Sequence, residues 1–133
     1  MIDNVIYMIL AAASGITAIV GTNIFTAVAA EGDYDQYIVI HLIDMVPENT
    51  KDGASMLDEI RIQVDSYNSD KDSGDQLAVI IRNTLDRYRG TVQATYVIDN
   101  ILFDNARNDF DEDRGVYKVS QDFIVRHKKS RTQ

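Results

Sequence analysis

The sequence has no cysteine and no tryptophan, and its 133 residues include one proline and two histidines. Without cysteine the chain has no disulfide, no thiolate metal site and no cysteine nucleophile. His41 and His127 leave little material for a histidine-based catalytic triad. A chain of this length can still bury a real core as one domain without such covalent or metal support.

Positive charge is also scarce. Against 21 Asp and Glu the chain has 13 Lys and Arg, for a net charge of -8. Such a surface repels nucleic acid, which disfavours a role in reading DNA or RNA. Four of the cations lie near the end of the chain, at Arg126, Lys128, Lys129 and Arg131, so that the rest carries 9 against 21, a net of -12. We expect residues 126–133 to form a basic, flexible tail, or a segment that orders on an acidic surface or inside an assembly.

The longest apolar stretch, Val5–Val20, is too short for a membrane span and is interrupted by Ser14, Gly15 and Thr17. It also lacks the positive leading region of a secretory signal. We therefore expect neither membrane insertion nor export.

The start of this stretch instead predicts a buried amphipathic helix. Its apolar face follows helical spacing at Ile2, Val5, Ile6, Ile9, Leu10 and Ala13. Tyr7 and Met8 lie on the other sides, so the helix offers more apolar surface than one small sheet needs. This excess makes Tyr7 and Met8 candidates for contact with another subunit.

The segment Gln36–Arg89 organises the chain. The run Tyr37–Ile43 is apolar on both faces, as in an internal strand, and its His41 is read as a hydrogen-bonded core residue rather than a ligand. The polar link Pro47–Ser55 predicts a long hairpin loop. The run Ile60–Asp65 alternates, which predicts a strand that buries Ile60, Ile62 and Val64 and exposes Arg61, Gln63 and Asp65.

The remaining elements complete an α+β domain. A helix capped by Asp70, Asp72 or Ser73 buries Leu77, Ile80, Ile81, Leu85 and Tyr88, and Arg87, Arg89 and Gly90 mark its end. Further strands are predicted at Asn23–Val28, Thr95–Phe103 and Val116–Arg126, with Asp104–Gly115 as a charged hairpin tip. The order α-β-β-β-α-β-β predicts one domain over residues 1–125. In it, two main helices pack on one face of a mostly antiparallel sheet of about five strands.

The sequence contains no recognisable catalytic, metal-binding or cofactor-binding motif. The acidic residues Asp109, Asp111 and Asp113 alternate as in a calcium loop, but Arg114 and Ser120 stand where an EF-hand needs Gly and Glu. No zinc-protease, phosphate-loop or dinucleotide-binding motif occurs in the sequence. We therefore expect a non-enzymatic protein without cofactor or metal.

The central segment resembles a family of bacteriophage proteins, the tail-completion or tail-terminator (tail-to-head joining) proteins of long-tailed phages. The residues that carry the resemblance are Tyr37-Ile38-Val39, Arg61 to Tyr67, Asp75 to Leu85, Val119 to Val125 and Gly21 to Phe25. The resemblance covers the chain from about Val5 to Val125. Members often carry proline before the internal strand, whereas Gln36 stands there in this sequence.

The resemblance implies a virion structural protein, assembled in the host cytoplasm, that forms a ring, typically a hexamer. This ring would end the tail tube and bind the head connector, while DNA only passes through its lumen. The link Pro47, Glu48, Asn49, Thr50, Lys51, Asp52 and Gly53 is then a candidate contact with the tube or an adjacent ring. The acidic tip, with Asn105, Arg107, Asp109, Asp111 and Asp113, is a candidate contact with a subunit, the lumen or the opposite ring. Arg61 and Asp65 are candidates for an intersubunit ion pair, with a plain solvated pair as the alternative.

Two other functions remain open at this point. One is a neck or head-completion protein of the connector, which has a similar layout. The other, of a different class, is a soluble ligand-binding or metabolic α+β domain.

Overall fold

The computed structural model describes residues 2–26, 35–50, 53–92 and 96–128. Within these ranges the chain forms three helices and six strands. In chain order they are α1 (Ile2–Ala11), α2 (Ser14–Val20), β1 (Ile24–Thr26), β2 (Gln36–Thr50), β3 (Gly53–Asn68), α3 (Lys71–Leu85), β4 (Gly90–Val92), β5 (Tyr96–Asp111) and β6 (Val116–Lys128).

The strands form one curled sheet in the order β1-β2-β3-β6-β5-β4. β1 is parallel to β2, and the other neighbouring pairs are antiparallel. The four inner strands are long: the 15 residues of β2 span roughly 50 Å at ~3.3 Å per residue. The α+β class and the mostly antiparallel sheet are confirmed, although the sheet has six strands where about five were predicted.

The helices pack on one face of this sheet. The predicted apolar face of α1 is buried at Val5, Ile6, Ile9 and Leu10, which join the core with residues of α2, α3 and the sheet. Strand alternation directs Ile60, Ile62 and Val64 into the same core. The alternate residues of β3 therefore point to the opposite face, which no described helix covers and which we call the helix-free face.

Two segments predicted as loops are strands in the structure. β2 continues through Pro47 to Thr50, and Thr50 is in register with Gly53 of β3. Likewise β5 continues to Asp111, and the turn is confined to residues 112–115. The prediction was wrong because alternation reports which faces are buried, whereas a backbone ladder also forms where both faces are polar. Pro47 is tolerated because the described part of β1 pairs with β2 only as far as Ile40.

The region after α3 also differs from the prediction. The helix ends at Leu85, and Arg87 adopts a positive φ of 66°. The Asp86 carboxylate accepts a 2.9 Å hydrogen bond from the Phe103 N–H, and the Arg87 N–H donates a 2.6 Å bond to the Ile101 carbonyl. These bonds fasten the helix end to the edge of β5.

Three further boundaries differ from the sequence prediction. A separate helix, α2, follows α1, and the three-residue strand β4, which is too short to give a periodic signal, was missed. β6 runs to Lys128 and so includes the first part of the predicted tail. The predicted strand ends at Ala27, Val28 and Thr95 lie outside the described residues, as do tail residues 129–133.

Candidate assembly surfaces

The two hairpins that carry the predicted contact residues lie at opposite ends of the sheet. β2 and β6 are both antiparallel to β3, so they run in the same direction. The β2–β3 hairpin turns where β2 ends, whereas the β5–β6 hairpin turns where β6 begins. The length of the inner strands therefore separates the two turns.

Among the described residues, the β2–β3 hairpin extends beyond the other strands of the sheet. The last described pair between β3 and β6 is Leu57 with Lys128, and β2 and β3 still pair beyond it, at Asn49 with Ala54 and at Thr50 with Gly53. We call this projecting part, residues 47–50 and 53–57, the β2–β3 arm. Of the predicted contact residues, Pro47, Glu48, Asn49, Thr50 and Gly53 belong to the arm, while Lys51 and Asp52 lie outside the described residues.

Acidic side chains shape the β5–β6 turn. The Asp111 carboxylate accepts hydrogen bonds from the N–H groups of Asp113 (3.1 Å) and Arg114 (3.3 Å). Gly115 then closes the turn with a φ of 67°, a region that favours glycine. Asp111 and Asp113 therefore lie at or beside the turn, as predicted, although this does not test what they contact.

Asn105 and Asp109 lie in β5 and bind their own backbone. Asn105 Oδ1 accepts the Ala106 N–H at 2.9 Å, and Asp109 Oδ1 accepts the Phe110 N–H at 2.8 Å. Both side chains are exposed, along with every residue from Asp104 to Phe110. This half of β5 is thus an exposed strand rather than a loop.

Arg107, the fifth predicted residue of the acidic tip, points to the helix-free face. Its Nη1 donates to Asp122 Oδ2 at 3.0 Å and its Nη2 to Gln63 Oε1 at 3.2 Å. The hydrogen bond to Asp122 raises the pKa of Arg107. The guanidinium is therefore held against β6 and β3.

The helix-free face is a ladder of charge pairs. On it, four cations are each paired with a carboxylate: Arg61 with Asp104, Arg107 with Asp122, Lys118 with Asp65, and Arg126 with Glu59. The hydrogen bond to Asp104 raises the pKa of Arg61. The paired residues carry no net charge, so the excess acidity of the chain lies elsewhere.

Asp65 is the centre of this ladder, and its predicted exposure was wrong. Its side chain is 2 % exposed because its neighbours cover it. His41 Nε2 lies 3.0 Å from Asp65 Oδ2, Gln63 Nε2 donates to Asp65 Oδ1 at 2.8 Å, and Lys118 Nζ is 3.7 Å away. His41 therefore has a polar partner, as predicted, but it lies on the helix-free face with its side chain 33% exposed and not in the core. Arg61 and Asp65 have ionic partners within the chain, and a contact between subunits at either residue stays a prediction.

A cluster of aromatic side chains lies at the end of the helix-free face that is next to the β5–β6 turn. The rings of Tyr37 and Tyr67 stack with centroids 4.4 Å apart. Arg114 lies over the Tyr37 ring and donates from Nη1 to its hydroxyl at 2.8 Å. Burial raises the pKa of both tyrosines.

Several apolar side chains are exposed. Tyr7, a predicted subunit contact, is exposed on α1, whereas Met8 packs against the core. Leu42 and Ile43 are 41 % and 50 % exposed on β2. The exposure of these two was not predictable from the sequence, because their run resembles a strand covered on both sides. The cause is a bulge between Leu42 and Asp44, which leaves Ile43 without a partner in β3.

Within the described ranges, no group of three His, Asp or Glu side chains is placed to hold a metal ion. The same residues include no helix that is long and apolar enough to cross a membrane.

Comparison with known proteins agrees with the resemblance seen in the sequence. The model of the family described as tail completion protein gp17 matches residues 4–128. A chain of a solved structure described as "Virion of native gene transfer agent (GTA) particle" superposes with a TM-score of 0.73 at 18% sequence identity. The match covers 93% of this chain and 92% of that chain, which shows a shared fold. No curated protein matches the sequence.

Proposed function

Because the chain belongs to the tail completion protein gp17 family, we propose that it is a virion structural protein that forms a ring at the head–tail junction. The ring ends the tail tube and joins it to the head connector. From the family resemblance we expect six subunits in the ring. In this role the protein binds other virion proteins and performs no catalysis.

The placement of the two hairpins at opposite ends of the sheet carries the proposal. A joining protein has to bind one structure below and a different one above. A subunit whose strands lie along the axis of a ring presents the β2–β3 arm at one rim and the β5–β6 turn at the other. Each tip extends from a long, paired hairpin, so the fold fixes both positions.

The helix-free face suits a passage for DNA. Phosphate contacts require cations that can leave their present partners. Arg61, Arg107, Lys118 and Arg126 are already paired with carboxylates on this face. A lumen lined by this face would let DNA slide without tight binding.

The test replaces each tip separately. In one variant Glu48–Asp52 becomes a Gly/Ser segment, and in the other Glu112 and Asp113 become serine. Both changes replace only polar residues, so we expect native circular dichroism spectra. Electron microscopy of phage lysates should show that each variant blocks joining and leaves heads and tails separate.

The two variants should fail at different contacts. In the variant that changes the tube-binding tip, the subunit should be absent from tails. Because nothing then ends the tube, tube lengths should vary. The variant of the other tip leaves capped tails that do not bind heads. Normal particles from both variants would overturn the proposal, and wild-type subunit found on tailless heads but absent from free tails would favour a neck protein.

A further inference from the structure

One stretch of β5 has backbone donors that no described strand pairs with. The bonds from Arg87 to Ile101 and from Phe103 to Asp86 show that residues 101 and 103 direct their backbone groups away from β6. Up to Phe103, therefore, the outer edge of β5 is occupied by the connection after α3.

Below the bulge at Asp104, no described strand or loop borders this edge of β5. Alternation there turns the N–H groups of Ala106, Asn108 and Phe110 outward. Two of them are bonded to the side chains of Asn105 and Asp109. We call residues 105–111 the β5 edge. Two of its three outward donors are thus held by side chains of the same strand.

A second open stretch lies on the opposite side of the sheet. Among the described residues, β1 pairs with β2 only at Ile38–Ile40. Pro47 has no N–H and would end any added ladder. We call residues 41–46 the β2 edge. The exposed apolar residues Leu42 and Ile43 are part of this stretch.

We propose that the β5 edge of one copy pairs with the β2 edge of the next copy, so that the sheet continues from subunit to subunit. This inference rests on the proposed ring. Four strands that alternate in direction separate the two edges, so β2 and β5 run in opposite directions. Copies with the same orientation would therefore join antiparallel. The contact uses two different surfaces, which produces a ring when the rotation closes.

The positions of the two edges along the strand direction are compatible with a closed ring. Through β6 and β3, Asn105 of β5 is in register with His41 of β2, so the free stretches overlap only if neighbours shift by about five residues. Strands of closed barrels tilt by about 35–45°, which corresponds to roughly one residue of shift per strand. Four strands per subunit thus supply a shift of the required size.

Pairing replaces bonds that already exist in the single subunit. Asn105 and Asp109 would release the N–H groups of Ala106 and Phe110 to carbonyls of the neighbour's β2. Until then these side chains satisfy the donors, and the charges on the strand oppose indiscriminate association, as is common at edge strands. The edge is therefore selective for a partner strand of matching shape.

The test uses the absence of cysteine from the chain. Asn108 and Leu42 both lie on the helix-covered face, and a register that pairs residues of the same face sets Leu42 of one copy opposite Asn108 of the next, so we combine Leu42→Cys with Asn108→Cys. Within one copy three strand spacings, about 14 Å, separate β2 from β5, which is too far for a disulfide. Oxidation of protein assembled at high concentration or on tails should give a covalent ladder on a non-reducing gel. Val79→Cys with Asn108→Cys is the control, and it should give no ladder because Val79 is exposed on α3.

A second variant removes one outward donor. Asn108→Pro lacks the N–H that points away from β6, so its own hairpin ladder is kept. We expect at least a tenfold loss of assembly on tails, whereas Asn108→Ala should assemble normally. Native circular dichroism of both variants shows whether they fold.

The outcomes separate this inference from the function on which it rests. Rings seen by electron microscopy, with no ladder and with normal assembly of Asn108→Pro, would overturn edge pairing and leave the ring intact. Wild-type protein that forms no ring, either alone or on tails, would overturn both. A ladder from the Leu42→Cys/Asn108→Cys variant together with loss of assembly by Asn108→Pro supports both.

Discussion

Arg114 Nη1 donates a 2.8 Å hydrogen bond to the hydroxyl oxygen of Tyr37, a residue 77 positions away in the sequence. The guanidinium also lies 5.2 Å from the centre of the Tyr37 ring. Arg114 belongs to the turn between β5 and β6, and Tyr37 to β2, so the bond fastens one hairpin tip to the far side of the sheet.

The first prediction concerns this bond. Tyr37→Phe keeps the stack with Tyr67 but removes the acceptor, so we expect the free energy of unfolding to fall by about 0.5–1.5 kcal/mol. Urea titration measures this change. Tyr67→Phe is the matched control, since its hydroxyl is not the acceptor of Arg114. An equal loss in both variants would contradict the assigned role of the bond.

A second prediction follows from the raised pKa of Tyr37 and Tyr67. Burial is the main cause in both, and it disfavours the phenolate in the folded state. The folded chain then holds protons that the unfolded chain releases near pH 10. The stabilisation is complete below that pH and is lost as the pH rises through the folded pKa.

Urea titrations at about pH 8.5 and about pH 11 measure this loss of stability. The double variant Tyr37→Phe/Tyr67→Phe should show a smaller decrease between these two values. If the wild type and the double variant lost the same stability, the two tyrosines would not be its source.

The buried carboxylate of Asp65 gives a third prediction. Asp65→Asn keeps the shape but removes the charge that faces His41 and Lys118, so we expect unfolding free energy to fall by about 1–3 kcal/mol. Asp75→Asn is the control, because Asp75 pairs with Lys71 on an exposed helix surface, where such pairs contribute little. Similar losses in both variants would show that burial of Asp65 has no energetic consequence.

The start of α3 gives a fourth prediction. The Asp70 side chain accepts the Ser73 N–H at 2.8 Å, which caps the helix. Asp70→Ala should therefore cost about 0.5–2 kcal/mol of stability. Asp72→Ala, in the first turn but not at the cap position, should cost less. Thermal unfolding of the two variants compares them directly.

Helices and core were predictable from the sequence because their signal is burial. The apolar spacing of α1 and the alternation of Ile60, Ile62 and Val64 report which side chains face the core, and the structure confirms both. The cap of α3 was predictable as one of Asp70, Asp72 or Ser73, because a capping side chain acts within three residues, and the structure shows that it is Asp70.

The assembly surfaces were less predictable because they depend on pairing between distant strands. Asp65 looks like an exposed residue of an alternating strand, and its burial comes from His41 and Lys118, which belong to other strands. Arg107 belongs to the acidic tip in the sequence prediction, yet its partner Asp122 lies on the neighbouring strand. The bulge that exposes Ile43 has no local signature in the sequence.

The opposed directions of the β2–β3 arm and the β5–β6 turn make every subunit polar along its strands. A ring of copies that all point the same way has two rims of different chemistry. Such a ring cannot be inserted upside down without exchanging the two sets of contacts. The order of the particle, with tail on one side and head on the other, would then be encoded in the direction of a single strand.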